Sequence, residues 1–250
     1  MIGQAQNGLG HGTRVRMCVA LVSLSVATLT LWAPSIQAKG PEEAKPWTSH
    51  IGDVISQSVG SPSSGRLVNA VPLPEEGPGW RRRDGERFYG THETIALLQW
   101  VSERLQGAFP GSVPLLIGDI SEQRGGRAPP HRSHRSGRDV DIAFFEKGNV
   151  ERSHFRGDMA AHEIDVDKSW FTIEGLLSTG RVQYIFVNRR LIPKFVRRAR
   201  RYGWSRESIQ KIFLRPEDTR RVGPIRHASG HTYHFHVRFH CPGNDEKCRD

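Results

Sequence analysis

Two short stretches carry most of the chemistry available to this chain: His131-x-x-His134 leading to Asp141, and, far downstream, His231-x-x-His234-x-His236. A catalytic zinc ion takes three His or carboxylate ligands and keeps one position open for water. His134, Asp141 and His236 supply that set without a cysteine. Such a centre lowers the pKa of its water toward about 7 and polarises a carbonyl, which is the chemistry of peptide hydrolysis. A closed structural site needs four ligands, whereas three ligands with His231 and His234 to spare point to an open, catalytic one. The carboxylates each have a second reading. Asp141 is either a ligand or an inward carboxylate paired with an arginine. Asp139 either competes for its place or orients His134 from behind. The zinc-protease signature His-Glu-x-x-His is absent from the sequence.

These side chains need rigid supports. From Tyr233 to His240 the residues alternate: Tyr233, Phe235, Val237 and Phe239 face one way, and His234, His236, Arg238 and His240 the other. That is the period of a half-buried strand. Asp139 to Phe144 repeats it, with both carboxylates on one side and Val140 and Ile142 on the other. Thr91 is a good N-cap for a helix in which Ile95, Leu98, Val101 and Leu105 recur at helical spacing up to Gly107. Val113 to Gly118 reads as a buried strand. Ser121 to Gly137, dense in Gly, Pro, Arg and His, reads as the loop that delivers His131 and His134. The polar, aperiodic stretch from Glu146 to Asp167 reads as an insertion over the rim of the site. Next come a helix over Trp170–Leu177 ended by Gly180, a strand over Val182–Val187, and a helix from Leu191 to Gly203 with Pro193 in its first turn. A short helix over Ser205–Phe213 and a loop from Arg220 to Ser229 lead into the histidine strand. The fold class expected is a single α+β domain: a central antiparallel sheet carrying the zinc site, helices packed on it, and long loops around the cleft.

At these residues the chain resembles the penicillin-insensitive murein endopeptidases, within the wider group of lysostaphin-like, D-alanyl-D-alanine and hedgehog-like zinc peptidases. The pattern runs His131-x-x-His134-x-x-Gly137-x-x-Val140-Asp141-Ile142, then His231-x-x-His234-x-His236-Val237-Arg238, then Cys241-Pro242 and Cys248. Supporting segments are Ser56 to Leu67, Arg87 to Gly90, Leu116 to Asp119 and Tyr184 to Asn188, so the likeness spans Gln57 to Cys248. The resemblance implies a zinc-dependent DD-endopeptidase that cuts the D-alanyl–meso-diaminopimelyl cross-link of peptidoglycan without a serine acylation step, hence insensitive to β-lactams. It also implies that His231 and His234 serve catalysis without binding the catalytic zinc, and that His131 is a further metal ligand. In the family an Asp/His pair downstream can hold a second zinc. Here Arg152 to His162 departs from that pattern, with Asp158 and His162 the nearest substitutes, so one zinc is expected. Three rivals remain: a D,D- or L,D-carboxypeptidase on stem peptides, a non-catalytic zinc-containing wall-binding domain, and a basic nucleic-acid-binding protein.

Composition fits an exported enzyme. Residues 1–38 read as a signal peptide: Arg14 and Arg16, an apolar run from Val19 to Trp32 too short for the roughly 20 residues of a membrane span, and a small-residue end at Ile36-Gln-Ala38. Residues 39–86, rich in Pro, Gly and Ser, read as a wrap with little regular structure, and 87–250 as the zinc peptidase core. The leader takes Cys18 with it and leaves Cys241 and Cys248, a pair suited to a disulfide in an oxidising compartment such as the periplasm. The whole chain has 36 basic and 26 acidic residues, a net charge of +10; without the two leader arginines it is +8. In an exported protein that excess favours an anionic wall polymer over nucleic acid, with no stable membrane span after cleavage. Arg127 and Arg138 flank the site as candidates for a substrate carboxylate.

Overall fold

The computed structural model describes residues 55–213 and 223–250. In chain order the elements are β1 (Gln57–Ser61), β2 (Ser64–Val68), β3 (Val71–Pro72), β4 (Glu76–Gly77), β5 (Trp80–Arg82), β6 (Tyr89–Gly90), α1 (His92–Ala108), β7 (Leu115–Ile117) and β8 (Asp139–Ala143). They continue with α2 (Val166–Ser178), β9 (Val182–Val187), α3 (Ile192–Arg201), α4 (Arg206–Ile212), β10 (Ile225–His227) and β11 (His234–Phe239). β1 and β2 form a hairpin, β3 pairs with β6, and the other seven strands make one sheet in the order β10-β9-β11-β8-β7-β5-β4.

The fold is α+β as expected, but the sheet is mixed rather than antiparallel. β11 runs antiparallel to both neighbours, β8 and β9. β10, however, is parallel to β9, and β5 to β7. The connections explain this. Parallel neighbours need a long crossover, and α1 lies between β5 and β7 in the chain, as α3 and α4 lie between β9 and β10. Seven strands escape the sequence reading: β1 to β6 and β10. β10 falls inside the stretch read as loop, and its three residues are too few to show a period. β4 and β5 fall in the stretch expected to have little regular structure, yet they extend the central sheet. The leader, and the wrap as far as residue 54, lie outside the described residues. No helix among the described residues is long and apolar enough to cross a membrane.

Thr91 caps α1 by accepting a hydrogen bond from Thr94 N at 3.1 Å, and Leu97, Leu98, Val101 and Leu105 of that helix are buried. They share one core with Trp170, Ile173 and Leu176 of α2 and with Val140, Ile142, Phe235, Val237 and Ile185 of the sheet. Each fully buried side chain of this kind contributes about 1.5–3 kcal/mol. Trp170 stacks on Phe213 and meets Trp204 edge-on, fastening α2 to the end of α4. The apolar faces of β8 and β11 are therefore held in the core, and their polar faces are left to build a site.

Candidate metal centre

The register of β11 on β8 places His236 directly opposite Asp141 and Arg238 opposite Asp139. His134 joins them from the loop before β8. Its backbone sits at φ 64°, in the left-handed region, a conformation that costs a residue with a side chain on the order of 1–3 kcal/mol. Two hydrogen bonds hold it there: His134 N donates to Asp139 Oδ2 at 2.8 Å, and His134 Nδ1 donates to the Ile120 carbonyl at 2.9 Å. Because a carbonyl only accepts, Nδ1 carries the proton and Nε2 offers its lone pair to the centre.

Three ligand atoms converge. His134 Nε2 lies 3.1 Å from His236 Nδ1 and 3.4 Å from Asp141 Oδ1, and His236 Nδ1 lies 3.1 Å from Asp141 Oδ1. Ligands on a tetrahedral ion with bonds of about 2.0–2.1 Å stand about 3.3–3.4 Å apart, so this triangle fits zinc. His131 extends it: His131, His134 and Asp141 can bring one ligand atom each within 4.8 Å of one another. His134, Asp141 and His236 are all nearly buried, whereas His131 is partly open to solvent.

Asp139 is not in the triangle. Its Oδ1 faces His236 Nε2 at 3.2 Å and Arg238 Nε at 2.7 Å, and its Oδ2 accepts from His134 N and from Arg238 Nη2 at 3.2 Å. Of its two sequence readings, the geometry supports the orienting one, since Asp139 grips two of the candidate ligands from behind. Burial opposes ionisation of both carboxylates, but the neighbouring histidines, and Arg238 for Asp139, hold Asp139 and Asp141 well below the usual range. Burial likewise opposes charge on His236, and the two carboxylates override it, raising its pKa to about 9.

The other two histidines behave differently. Burial lowers His234 to about 4 despite the nearby Asp141, whose Oδ1 is 3.9 Å from His234 Nε2. His234 Nδ1 is buried with no hydrogen-bond partner. His231 is also lowered by burial, and its Nδ1 donates to the Ser229 carbonyl at 2.8 Å, leaving Nε2 as an acceptor. The two rings lie 4.8 Å apart. Both are neutral at pH 7.

Other side chains enter the site that the sequence reading did not assign. Asp119, buried at the end of β7, holds His131 Nε2 at 2.8 Å and is itself gripped by Arg83, with Arg87 Nη1 at 3.6 Å. Burial works against its charge, and His131 and Arg83 outweigh it, so its pKa is lowered. Phe155, on the rim segment, stacks on His234 with ring centroids 5.5 Å apart. It lies so close to Gly118 that a Cβ there would come within 2.5 Å of the ring. That segment is fastened by Arg152 and Arg156 on Glu146 and by Arg156 on Glu163. Asp119 closes one of the segments that carry the family resemblance, but its spacing gives it no role, and Phe155 lies in no such segment; each acts by contact across the fold.

Elsewhere the expectations divide. Cys241 and Cys248 are bonded, closing the loop after β11. Arg138 is no substrate ligand. It is fully buried, and its guanidinium is spent on Ser58 Oγ, the Phe239 and Arg249 carbonyls and Asp250. Asp158 pairs with Arg156 on the surface, and His162 is exposed. His240 lies just beyond β11 and meets Asp250.

A sequence profile of the penicillin-insensitive murein endopeptidases matches residues 58–250. Relatives bearing that name include one from Haemophilus influenzae, 28% identical over 247 residues that cover 92% of this chain and 77% of the relative. Another, from Klebsiella pneumoniae, is 26% identical and covers 90% and 80%. A third, from Yersinia enterocolitica, is 25% identical and covers 83% and 75%. The chain belongs to the penicillin-insensitive murein endopeptidase family, and is thus a peptidase.

Proposed function

We propose that this protein is an exported, zinc-dependent DD-endopeptidase that hydrolyses the D-alanyl–meso-diaminopimelyl cross-links of peptidoglycan. The observation that carries the reading is the triangle of His134 Nε2, Asp141 Oδ1 and His236 Nδ1, at 3.1–3.4 Å, in a chain of this family. These three residues would hold one zinc, with His131 as a further ligand. When bound, the ion polarises the scissile carbonyl and provides a water activated near neutral pH.

The chain's own groups do the rest. His231 is the general base: its Nδ1–H is committed to Ser229, so its Nε2 takes the proton of the attacking water and returns it to the leaving amine. His234, too weak a base at about 4, acts as a hydrogen-bond donor to the developing oxyanion. Asp139 and Asp119 orient the ligand imidazoles. With no nucleophilic serine to acylate, the reaction is indifferent to β-lactams. Residues 1–38 direct export to the periplasm and are removed there, and 87–250 form the peptidase core, whose central sheet β4 and β5 extend.

The test joins metal analysis of the purified protein with a digest of isolated sacculi, with and without chelator and penicillin. Stoichiometric zinc, loss of activity on chelation, and release of un-cross-linked monomers are expected. Full activity in a metal-free preparation would sink the zinc reading. Release of free D-alanine alone would replace the endopeptidase with a carboxypeptidase.

A further inference from the structure

A second feature lies beside the metal centre on the hairpin side of the same loop. A groove of about 350 Å³ is lined by Arg66 of β2, by Arg127 and Arg135 of the loop, and by Gly60, Gly65 and Gly126. Arg135 follows the candidate ligand His134 directly. Its backbone is tied to both walls, N to the Pro62 carbonyl at 3.1 Å and O to Gly126 N at 2.9 Å, and Arg66 bridges Gly125 across the groove. The glycines leave the floor without side chains, so the guanidinium groups stay within reach of a ligand.

The charge pattern is the telling part. Three other arginines near this centre are paired: Arg83 with Asp119, Arg87 with Glu122, Arg238 with Asp139. None of the residues lining the groove is acidic. Among the described residues, Arg66, Arg127 and Arg135 form no ion pair and no side-chain hydrogen bond, and Arg135 Nε is shut off from solvent with no partner. A buried, unpaired guanidinium N–H carries a desolvation cost that an anionic acceptor relieves. Planar guanidinium forks match carboxylates bidentately.

We infer that this groove is a subsite for a free carboxylate on a peptide stem flanking the scissile bond. The inference rests on the peptidoglycan reading for its ligand, and Arg66, Arg127 and Arg135 are its recognition groups. The groove thereby sets a preference for stems with free acids over stems whose carboxylates are amidated.

The experiment uses the full zinc-loaded chain and two synthetic probes: the tripeptide L-alanyl-D-glutamyl-meso-diaminopimelic acid and the same peptide with its carboxylates amidated. Affinities are measured by calorimetry or NMR titration. The wild type should bind the acid at least about tenfold more tightly than the amide, as charge-assisted pairs require. Arg66→Gln/Arg127→Gln, changing two exposed residues that leave folding intact, should bind the acid no better than the amide. Arg135→Lys, which keeps the charge but loses the fork, should lose part of the preference. Arg197→Gln/Arg200→Gln on α3, with the same loss of charge at residues that do not line the groove, should keep it. A wild type that does not distinguish acid from amide, or a double variant that still does so tenfold, overturns the proposal. Cleavage of a cross-linked muropeptide is assayed on the same samples. If the wild type binds with the predicted preference but does not cleave, the endopeptidase reading fails and the groove stands. If it cleaves while the preference is absent or insensitive to the arginines, the groove fails alone.

Discussion

The two halves of the metal centre are held by different physics. Asp141, Asp139, His234 and His236 stand on β8 and β11, where the strand register and a buried apolar face fix them. His131, His134 and Asp119 come from the end of β7 and the loop after it. There the two histidines depend on a few individual hydrogen bonds: two for His134, to Ile120 O and to Asp139, and one side-chain bond for His131, with Asp119. The strand half is redundant in its support and the loop half is not. A substitution on the strands should therefore act through the lost side chain alone, whereas one in the loop should also loosen its neighbours.

The largest effect is expected from removing a shared ligand. His236→Ala, Asp141→Ala and His134→Ala should each lose the metal and reduce sacculus hydrolysis by at least about 10³-fold, since each deletes one of the three buried ligands and the partly exposed His131 does not replace it. Metal content measured beside activity checks this, and retention of stoichiometric zinc with full turnover by any of the three would contradict the ligand set. His231→Ala should keep its metal and lose about 10²–10⁴-fold in kcat. His231 works in its neutral form and burial lowers its pKa, so kcat/KM of the wild type should rise with pH through a midpoint below the ordinary histidine value of about 6.5. A profile with its acid limb above that value would remove His231 as the base.

Asp119→Asn sharpens the contrast most directly. It leaves the strand half untouched but weakens the grip on His131, for an expected loss of about 10–100-fold in metal affinity or activity. If crystal structures of the variant showed His131 unmoved and zinc binding unchanged, the assignment of Asp119 as the group that holds His131 would be wrong. The smallest effect is on stability. Cys241→Ser/Cys248→Ser should lower the unfolding free energy by about 2–3 kcal/mol on the chain-entropy estimate, read by denaturant titration, with kcat unchanged.

The same contrast explains what the sequence could show. The alternation from Tyr233 to Phe239 and from Asp139 to Ala143 marks the strand half because a strand's period appears in every second residue. Thr91 and the apolar spacing of α1 were equally legible, as was β9. Asp119 was not, because a carboxylate twelve positions before the histidine it holds leaves no periodic trace. Phe155 lay in a segment with no pattern. The parallel pairings of β5 and β10 depend on crossovers that short strands do not announce, and Arg138 resembled a site arginine until its four bonds to the protein accounted for it.

The pairing of β11 with β8 also acts as a reading frame. Each residue of β11 is assigned to metal site or core by parity alone, so inserting or deleting one position before His236 would send its imidazole into the core and bring Phe235 or Val237 to the site. Evolution can substitute along this strand, but it cannot change the strand's length by one. The rim segment between Glu146 and Glu163 has no such frame, so an added residue there shifts none of the strand-borne side chains of the site.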